Sequence, residues 1–309
     1  MLEIFLKTLP FFLLIGTGWL AGKTGFFPAQ ATAWLTKFVF YFALSAMLFR
    51  FAATLDIDEL FDPGFVLAYL TGSLALWALA FAVANWRRLP LDQAAMEAHV
   101  AMTGNTGFLG VPMLVALLGP MAVGPVLMVL TIDLVVFSTL ITLLITVARS
   151  GRLTLAILWP LLRGIVANPM IVSMVAGLAW AKLHVPMPAP LDGYLALLGA
   201  SATPGALFAI GASLAERSAE RLGPAIWLST AKLVLHPLLV AATALLIFGV
   251  EPYAAGVMIA AASLPVAGNV YILAQHFGVA AHRVSAAILI STAASIATVP
   301  AVIHWITKG

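Results

Sequence analysis

The chain has 309 residues, of which 63% are hydrophobic and 9% charged, with a mean hydropathy of +1.09; a soluble domain carries close to a quarter charged residues, so a water-soluble globule is excluded and an all-α integral membrane protein is expected. The net charge of +3 comes from Lys and Arg scattered through short connections, which argues against a nucleic-acid partner. Cysteine is absent, which removes a disulfide framework, a thiolate nucleophile and a Cys-based metal site.

A helix needs about 20 apolar residues to cross the bilayer core, and the runs between charged or turn-rich punctuation predict ten spans. The first, 4–22, lacks the basic leader and small-residue cleavage site of a signal peptide and reads as a membrane helix. Spans two and three, 34–53 and 65–86, flank an acidic connection of Asp56, Asp58, Glu59 and Asp62. Arg50, near the end of span two, either snorkels outward or draws anions toward an outer vestibule.

Span four, 96–118, is interrupted by Gly104-Asn105-Thr106-Gly107-Phe108-Leu109-Gly110-Val111-Pro112. Span five, 122–147, carries Asp133 inside an apolar run. The stretch Leu153 to Leu162 fits an interfacial helix, with Pro160 arguing against continuity into span six, 164–181. Span seven covers 194–215. Span eight, 224–248, holds Lys232 and, one turn later on the same face, His236 ahead of Pro237. Span nine, 253–276, is interrupted by Leu264-Pro265-Val266-Ala267-Gly268-Asn269, and span ten covers 284–306.

Ten of the fifteen Lys and Arg fall on one set of alternate connections: Lys23, Lys37, Arg87, Arg88, Arg149, Arg152, Arg163, Arg217, Arg221 and Arg283. Lys7, Arg50, Lys182 and Lys308 fall on the other, leaving Lys232 inside a span. Basic loops stay cytoplasmic, so both termini are expected on the outer, periplasmic side of a cell inner membrane. Five spans per half reverse the polarity of the second half, which predicts two inverted repeats, 1–150 and 151–309. Pro10, Gly18 and Lys23 recur with the same mutual spacing as Pro169, Gly177 and Lys182.

A helix broken at membrane depth frees backbone groups that hydrocarbon cannot satisfy, so both breaks must line a cavity or be packed in protein. Paired interruptions in equivalent places point to a transporter's binding site. The half-helices that follow carry positive N-terminal ends suited to a carboxylate or phosphate, and Pro112 and Pro265 are each expected in the first turn of one. Gly104, Gly107, Gly110 and Gly268 permit unwound backbone and close approach, while Asn105 and Asn269 supply amide donors and acceptors. The candidate substrate-binding residues are Asn105, Thr106, Gly107, Pro112, Pro265, Gly268 and Asn269.

A charge inside the bilayer is costly and is usually paired or functional. Asp133 and Lys232 are therefore candidates for coupling a proton or sodium ion to transport, with Lys232 alternatively attracting the anion, or for a buried pair that holds helices together. His236 reads as a proton relay or as a donor to the carbonyl freed by Pro237. His99, His276, His282 and His304 are expected at interfaces, and Trp34, Trp86, Trp180 and Trp305 as interfacial anchors.

Together with Leu235-His236-Pro237-Leu238, Val270-Tyr271-Ile272-Leu273-Ala274-Gln275 and Ser291-Thr292-Ala293-Ala294-Ser295, the two broken motifs make the chain resemble the auxin efflux carrier family, in its short bacterial form. The resemblance covers essentially the whole chain. It implies a fold similar to the bile-acid and sodium/proton transporters, in which helices 4 and 9 cross at their breaks and substrate binds beside the crossing. It further implies a scaffold of helices 1, 2, 6 and 7 (4–53 and 164–215), with helices 3–5 and 8–10 (65–147 and 224–306) moving as an elevator. By the same resemblance Asn105, Pro112, Pro265 and Asn269 are the crossover and substrate contacts, and a homodimer forms through the scaffold. The loop between helices 5 and 6 is short here, unlike that of plant members, so auxin transport does not follow from the resemblance; the resemblance to bacterial members implies a small carboxylate such as malonate or malate as substrate. Export of auxin-like aromatic carboxylates or other metabolites is the alternative.

No cofactor and no metal are expected. An embedded enzyme is disfavoured, because His-Glu-x-x-His and Gly-x-Ser-x-Gly are missing and Asp58-x-x-x-Asp62 stands alone. A channel would differ from a carrier in passing ions without saturation at modest turnover.

Overall fold

The computed structural model describes residues 2–55, 62–150, 158–216 and 222–308. Asp56, Asp58, Glu59, Arg152, Arg217, Arg221 and the first part of the 153–162 stretch lie outside them. In chain order the helices are α1 (Leu2–Lys23), α2 (Ala29–Ala52), α3 (Pro63–Trp86), α4 (Leu91–Met102), α5 (Thr106–Leu118) and α6 (Pro120–Arg149). After these come α7 (Leu158–Val166), α8 (Pro169–Lys182), α9 (Ala189–Ala215, stepped at Ser201), α10 (Leu222–Ile247), α11 (Pro252–Ala262), α12 (Gly268–Phe277) and α13 (Ala281–Lys308). Seven of them, α1, α2, α3, α6, α9, α10 and α13, are each long and apolar enough to cross a membrane. Three shorter apolar helices, α5, α8 and α11, accompany them.

Several helices begin where a polar cap precedes a proline. The Asp62 carboxylate accepts from Gly64 N at 2.8 Å ahead of α3, the Asn168 carboxamide from Met170 N at 3.0 Å ahead of α8, and Glu251 from Tyr253 N and Ala254 N at 3.0 and 2.8 Å ahead of α11. Each cap satisfies a first-turn donor, and the proline that follows has no N–H to leave unpaired. Asn168-Pro169 thus divides predicted span six, so that its apolar lead-in is the separate helix α7.

Helix packing falls into two groups. α1 lies along α9, and α2 lies against α8 and α9; α3 packs on α4 and α10, and α10 packs on α13. Lipid supplies no hydrophobic drive between helices, so close packing of small residues must hold them. A Cβ on Gly18 of α1 would collide with the Phe208 carbonyl of α9, and one on Gly177 of α8 with the Phe49 carbonyl of α2. These contacts are mirrored in the sequence, since Gly18 and Gly177 stand as far apart as Phe49 and Phe208.

Candidate functional site

Predicted spans four and nine are both broken, and the breaks meet. Between α4 and α5 the chain is extended at Gly104, and between α11 and α12 at Val266, where the two strands form an antiparallel bridge. Asn105 N donates to Pro265 O at 2.9 Å, and Ala267 N donates to Thr103 O at 3.2 Å. A side chain on α13 ties the second break, with Val266 N donating to Ser291 Oγ at 3.1 Å. These bonds give the unwound backbone the partners that hydrocarbon would withhold.

Pro112 stands in the first turn of the regular α-helix Val111–Leu118, as expected, but a π turn precedes that helix, and Pro265 lies outside any helix. α5 begins at Thr106 with a wide π turn, Thr106–Gly110, in which the Asn105 carbonyl accepts from both Leu109 N and Gly110 N. Pro112 follows that turn, and the widening shifts the hydrogen-bond ladder just ahead of the position where a proline has no donor to give. Pro265 lies in the extended crossing segment, and α12 starts at Gly268 with Ala267 as its cap. With the π turn leading into the Pro112 helix, the free amide ends sit at Thr106 and at Gly268, and only Pro265 departs from its expected place. Pro112 instead lines a cavity between α2, α5 and α9.

Each of the two buried charges faces one kind of helix end. Asp133, 5% exposed at the start of a π turn in α6, accepts from Thr106 Oγ1 at 3.3 Å and from Tyr69 Oη of α3 at 2.8 Å. Its negative charge thus stands beside the positive N-terminus of α5. Lys232, fully buried in a π turn of α10, donates to Ala262 O, the last carbonyl of α11, so a cation meets a negative C-terminus. A Cβ on Gly104 would stand 3.2 Å from both Lys232 Cε and Nζ, which places the lysine head directly against the crossing strand.

Asp133 and Lys232 act on each other through space, but among the described residues no ion pair within 4.0 Å joins them. His236 connects the lysine onward. Lys232 Nζ donates to His236 Nδ1 at 2.8 Å, which leaves the Nε2 proton for Ser73 Oγ of α3 at 2.9 Å. The ring also lies 5.9 Å from that of Tyr69. His236 therefore bonds two side chains, not the carbonyl freed by Pro237. His99 differs from its interfacial expectation too: it is 3% exposed within α4, with Thr103 Oγ1 at 3.2 Å from Nδ1.

The two positive ends have different surroundings. At α5 the site is packed: Thr106 is 1% exposed, and a Cβ on Gly107 would stand 2.5 Å from Met170 Cε of α8. At α12 it is open, because Asn269 is exposed and a Cβ on Gly268 would meet nothing within 4 Å. The first-turn N–H groups of Gly268 and Asn269 have no intrahelical partner. Among the described residues, the side chains of Asn105 and Asn269 form no hydrogen bond, and no cluster of His, Cys, Asp and Glu could hold a metal.

Sequence reasoning overlooked Tyr69, Ser73 and Glu97. Glu97 of α4, 1% exposed, accepts from Arg87 Nη1 at 2.7 Å and from Arg283 Nη1 at 2.8 Å, which joins the end of α3, α4 and the start of α13. An intramembrane carboxylate was the available signal; Tyr69 and Ser73 are uncharged residues in an apolar run and gave none. Replacing Glu97 by Gln leaves both guanidinium groups short of their counter-charge and is expected to cost about 3 kcal/mol. A drop in the unfolding midpoint of the detergent-solubilised protein would register that loss, and an unchanged midpoint would contradict it.

Similarity to known proteins runs along nearly the whole chain. A family model described as membrane transport protein matches residues 3–303. A protein of Rhizobium meliloti (strain 1021) named "Putative malonate transporter" is 33% identical over 312 residues, an alignment that takes in 100% of this chain and 98% of that protein.

Proposed function

This chain belongs to the membrane transport protein family, the auxin efflux carrier family whose motifs it carries, and we propose that it is a secondary carrier of a small organic anion, a carboxylate of the malonate or malate type. One observation carries the reading: the two breaks cross through the Gly104–Val266 bridge and leave the positive end of α12 open beside Asn269. The likeness to a relative named for malonate supports the choice of substrate. In this reading the carboxylate docks at the Gly268 and Asn269 amides and at the Asn105 and Asn269 side chains, with Thr106, Gly107, Pro112 and Pro265 shaping the crossing around it. At the other break, Asp133 already answers the positive end of α5, so the anion has one unoccupied end to seek.

The chain crosses the inner membrane ten times as two inverted five-helix repeats, 1–150 and 151–309, with both termini outside. Support comes from the mirrored contacts of Gly18 with Phe208 and Gly177 with Phe49. α1, α2, α8 and α9 form the scaffold, and the remaining helices slide past it as an elevator, a division that follows the two packing groups. The scaffold pairs two copies of the chain into a homodimer. Asp133, Lys232 and His236 ride in the moving part, where they hold the crossing together and offer a place to couple a proton or sodium ion. A monoanion leaving a negative-inside cell gains about 2.3 kcal/mol per 100 mV, so export needs no coupled ion, whereas uptake of a dicarboxylate does.

Proteoliposome uptake and counterflow test this reading, with malonate, malate and an indole carboxylate under separately imposed pH, sodium and potential gradients. Saturable, counterflow-competent movement of malonate or malate is expected. Unsaturable flux would mark a channel instead. Asn105→Ala and Asn269→Ala should each raise the half-saturation concentration about tenfold or more, the worth of a hydrogen bond to a charged group, with little change in thermal stability. Unaltered kinetics in both variants would take these carboxamides out of the substrate contact.

A further inference from the structure

Between α2, α5 and α9 lies a cavity of about 320 Å³, lined by Arg50 and Phe51, by Pro112 and Val115, and by Leu195 and Thr203. Its size sits at the small end of ligand cavities, about 300–1,000 Å³. Its walls come from both packing groups, α2 and α9 on one side and α5 on the other. Arg50 is the charged group in the lining. Its place near the end of span two suits a snorkelling residue or an attractor of anions, and the structure gives it a specific partner: Nε and Nη2 donate to the Asp192 carboxylate of α9 at 2.6 and 3.3 Å.

The pair is built to open. Its side chains are 37% and 43% exposed, so water screens the attraction and the bridge contributes little to folding. A guanidinium has five N–H donors in a planar fork, and Nη1 has no acceptor among the described residues. We infer that the Arg50 cavity is a receiving station for the carboxylate on one face of the membrane, with Asp192 as a built-in competitor that holds the guanidinium until an anion displaces it. This rests on the carboxylate-carrier reading above. Arg50 binds the incoming carboxylate through a charge-assisted, two-pronged contact. The anion then moves along α5 past Pro112 toward the crossing.

The two faces of the protein distinguish this role from a structural one. Full-length protein reconstituted in a single orientation is loaded with radiolabelled malonate from the Arg50 face or from the opposite face, and half-saturation is measured for each. Arg50→Gln is expected to raise half-saturation at least about tenfold from the Arg50 face, as the loss of a charge-assisted bond does, with no change from the other. Asp192→Asn frees the guanidinium and is expected to lower half-saturation several-fold from the Arg50 face alone. Equal change from both faces, or no change in either variant, overturns the assignment and leaves the carrier reading standing. A wild-type protein that moves no carboxylate overturns both. Arg50→Lys keeps the charge without the fork and is expected to fall between wild type and Arg50→Gln; recovery to the wild-type value would overturn the two-pronged contact.

Discussion

Lys232→Met is expected to eliminate saturable anion transport and to destabilise the folded protein by about 3–5 kcal/mol, the usual cost of removing one member of a buried, hydrogen-bonded charge set. Four consequences add up in one place. The Ala262 carbonyl loses the cation that meets the C-terminus of α11, and His236 Nδ1 loses its donor. Asp133 loses the positive charge that acts on it through space. The crossing strand also loses support, because the lysine head fills the space beside Gly104. Uptake assays on reconstituted protein and a thermal melt in detergent check the two parts separately. Transport at the wild-type rate would show that the crossing needs no cation beneath it. The double variant Asp133→Asn with Lys232→Met is expected to regain part of the lost stability, because it leaves no lone buried charge; a loss equal to the sum of the losses in Asp133→Asn and Lys232→Met measured singly would show that the two charges are energetically independent.

Gly211→Val is expected to prevent stable assembly of the protein, at a cost above about 4 kcal/mol, in the exceptional range for a single substitution. Gly211 of α9 faces α1 so closely that a Cβ would collide with the Ile15 carbonyl oxygen and stand 2.8 Å from Trp19 N. Gly18 and Gly22 of α1 press against α9 from the other side, at the Phe208 and Ala212 carbonyls. All three approach backbone, which has no rotamer to move out of the way, so relief requires the helices to separate. Separation removes the dispersion contacts that hold helices together where lipid competes for apolar surface. Yield of monodisperse protein after detergent extraction is the measurement. Gly223→Val serves as the control, since a Cβ there meets nothing within 4 Å, and it is expected to behave as wild type. Normal yield of Gly211→Val would mean that α1 and α9 do not depend on this close approach.

A membrane protein of this composition announces its class and its interruptions without any structure. Charged residues are too few to cover a soluble surface, and each apolar run long enough to cross a bilayer stands out between polar connections. The breaks at Gly104-Asn105 and Pro265-Val266 were legible because Gly, Pro and Asn oppose a helical ladder through local sterics and hydrogen bonding, effects confined to a few neighbouring residues. Caps such as Asp62-Pro63 and Asn168-Pro169 are local in the same sense. Asp133 and Lys232 were conspicuous because burial of a charge is costly wherever it occurs.

Tertiary structure alone decided what those features meet. The Asn105–Pro265 and Ala267–Thr103 bonds join residues far apart in the chain, and no periodicity encodes such a partnership. Pro112 marked the first turn of the α-helix Val111–Leu118, but the π turn ahead of it at Thr106 and the start of α12 at Gly268 followed from the crossing itself and could not be read from the position of a proline. Pairing was decided in the same way: Asp133 went to Tyr69 and Thr106, Lys232 to the end of α11 and to His236, and Arg50 to Asp192. Sequence fixes the energetic debt of each buried polar group, because that depends on the group and the solvent it leaves. Which neighbour settles the debt depends on how the helices pack, and that is a property of the assembled bundle.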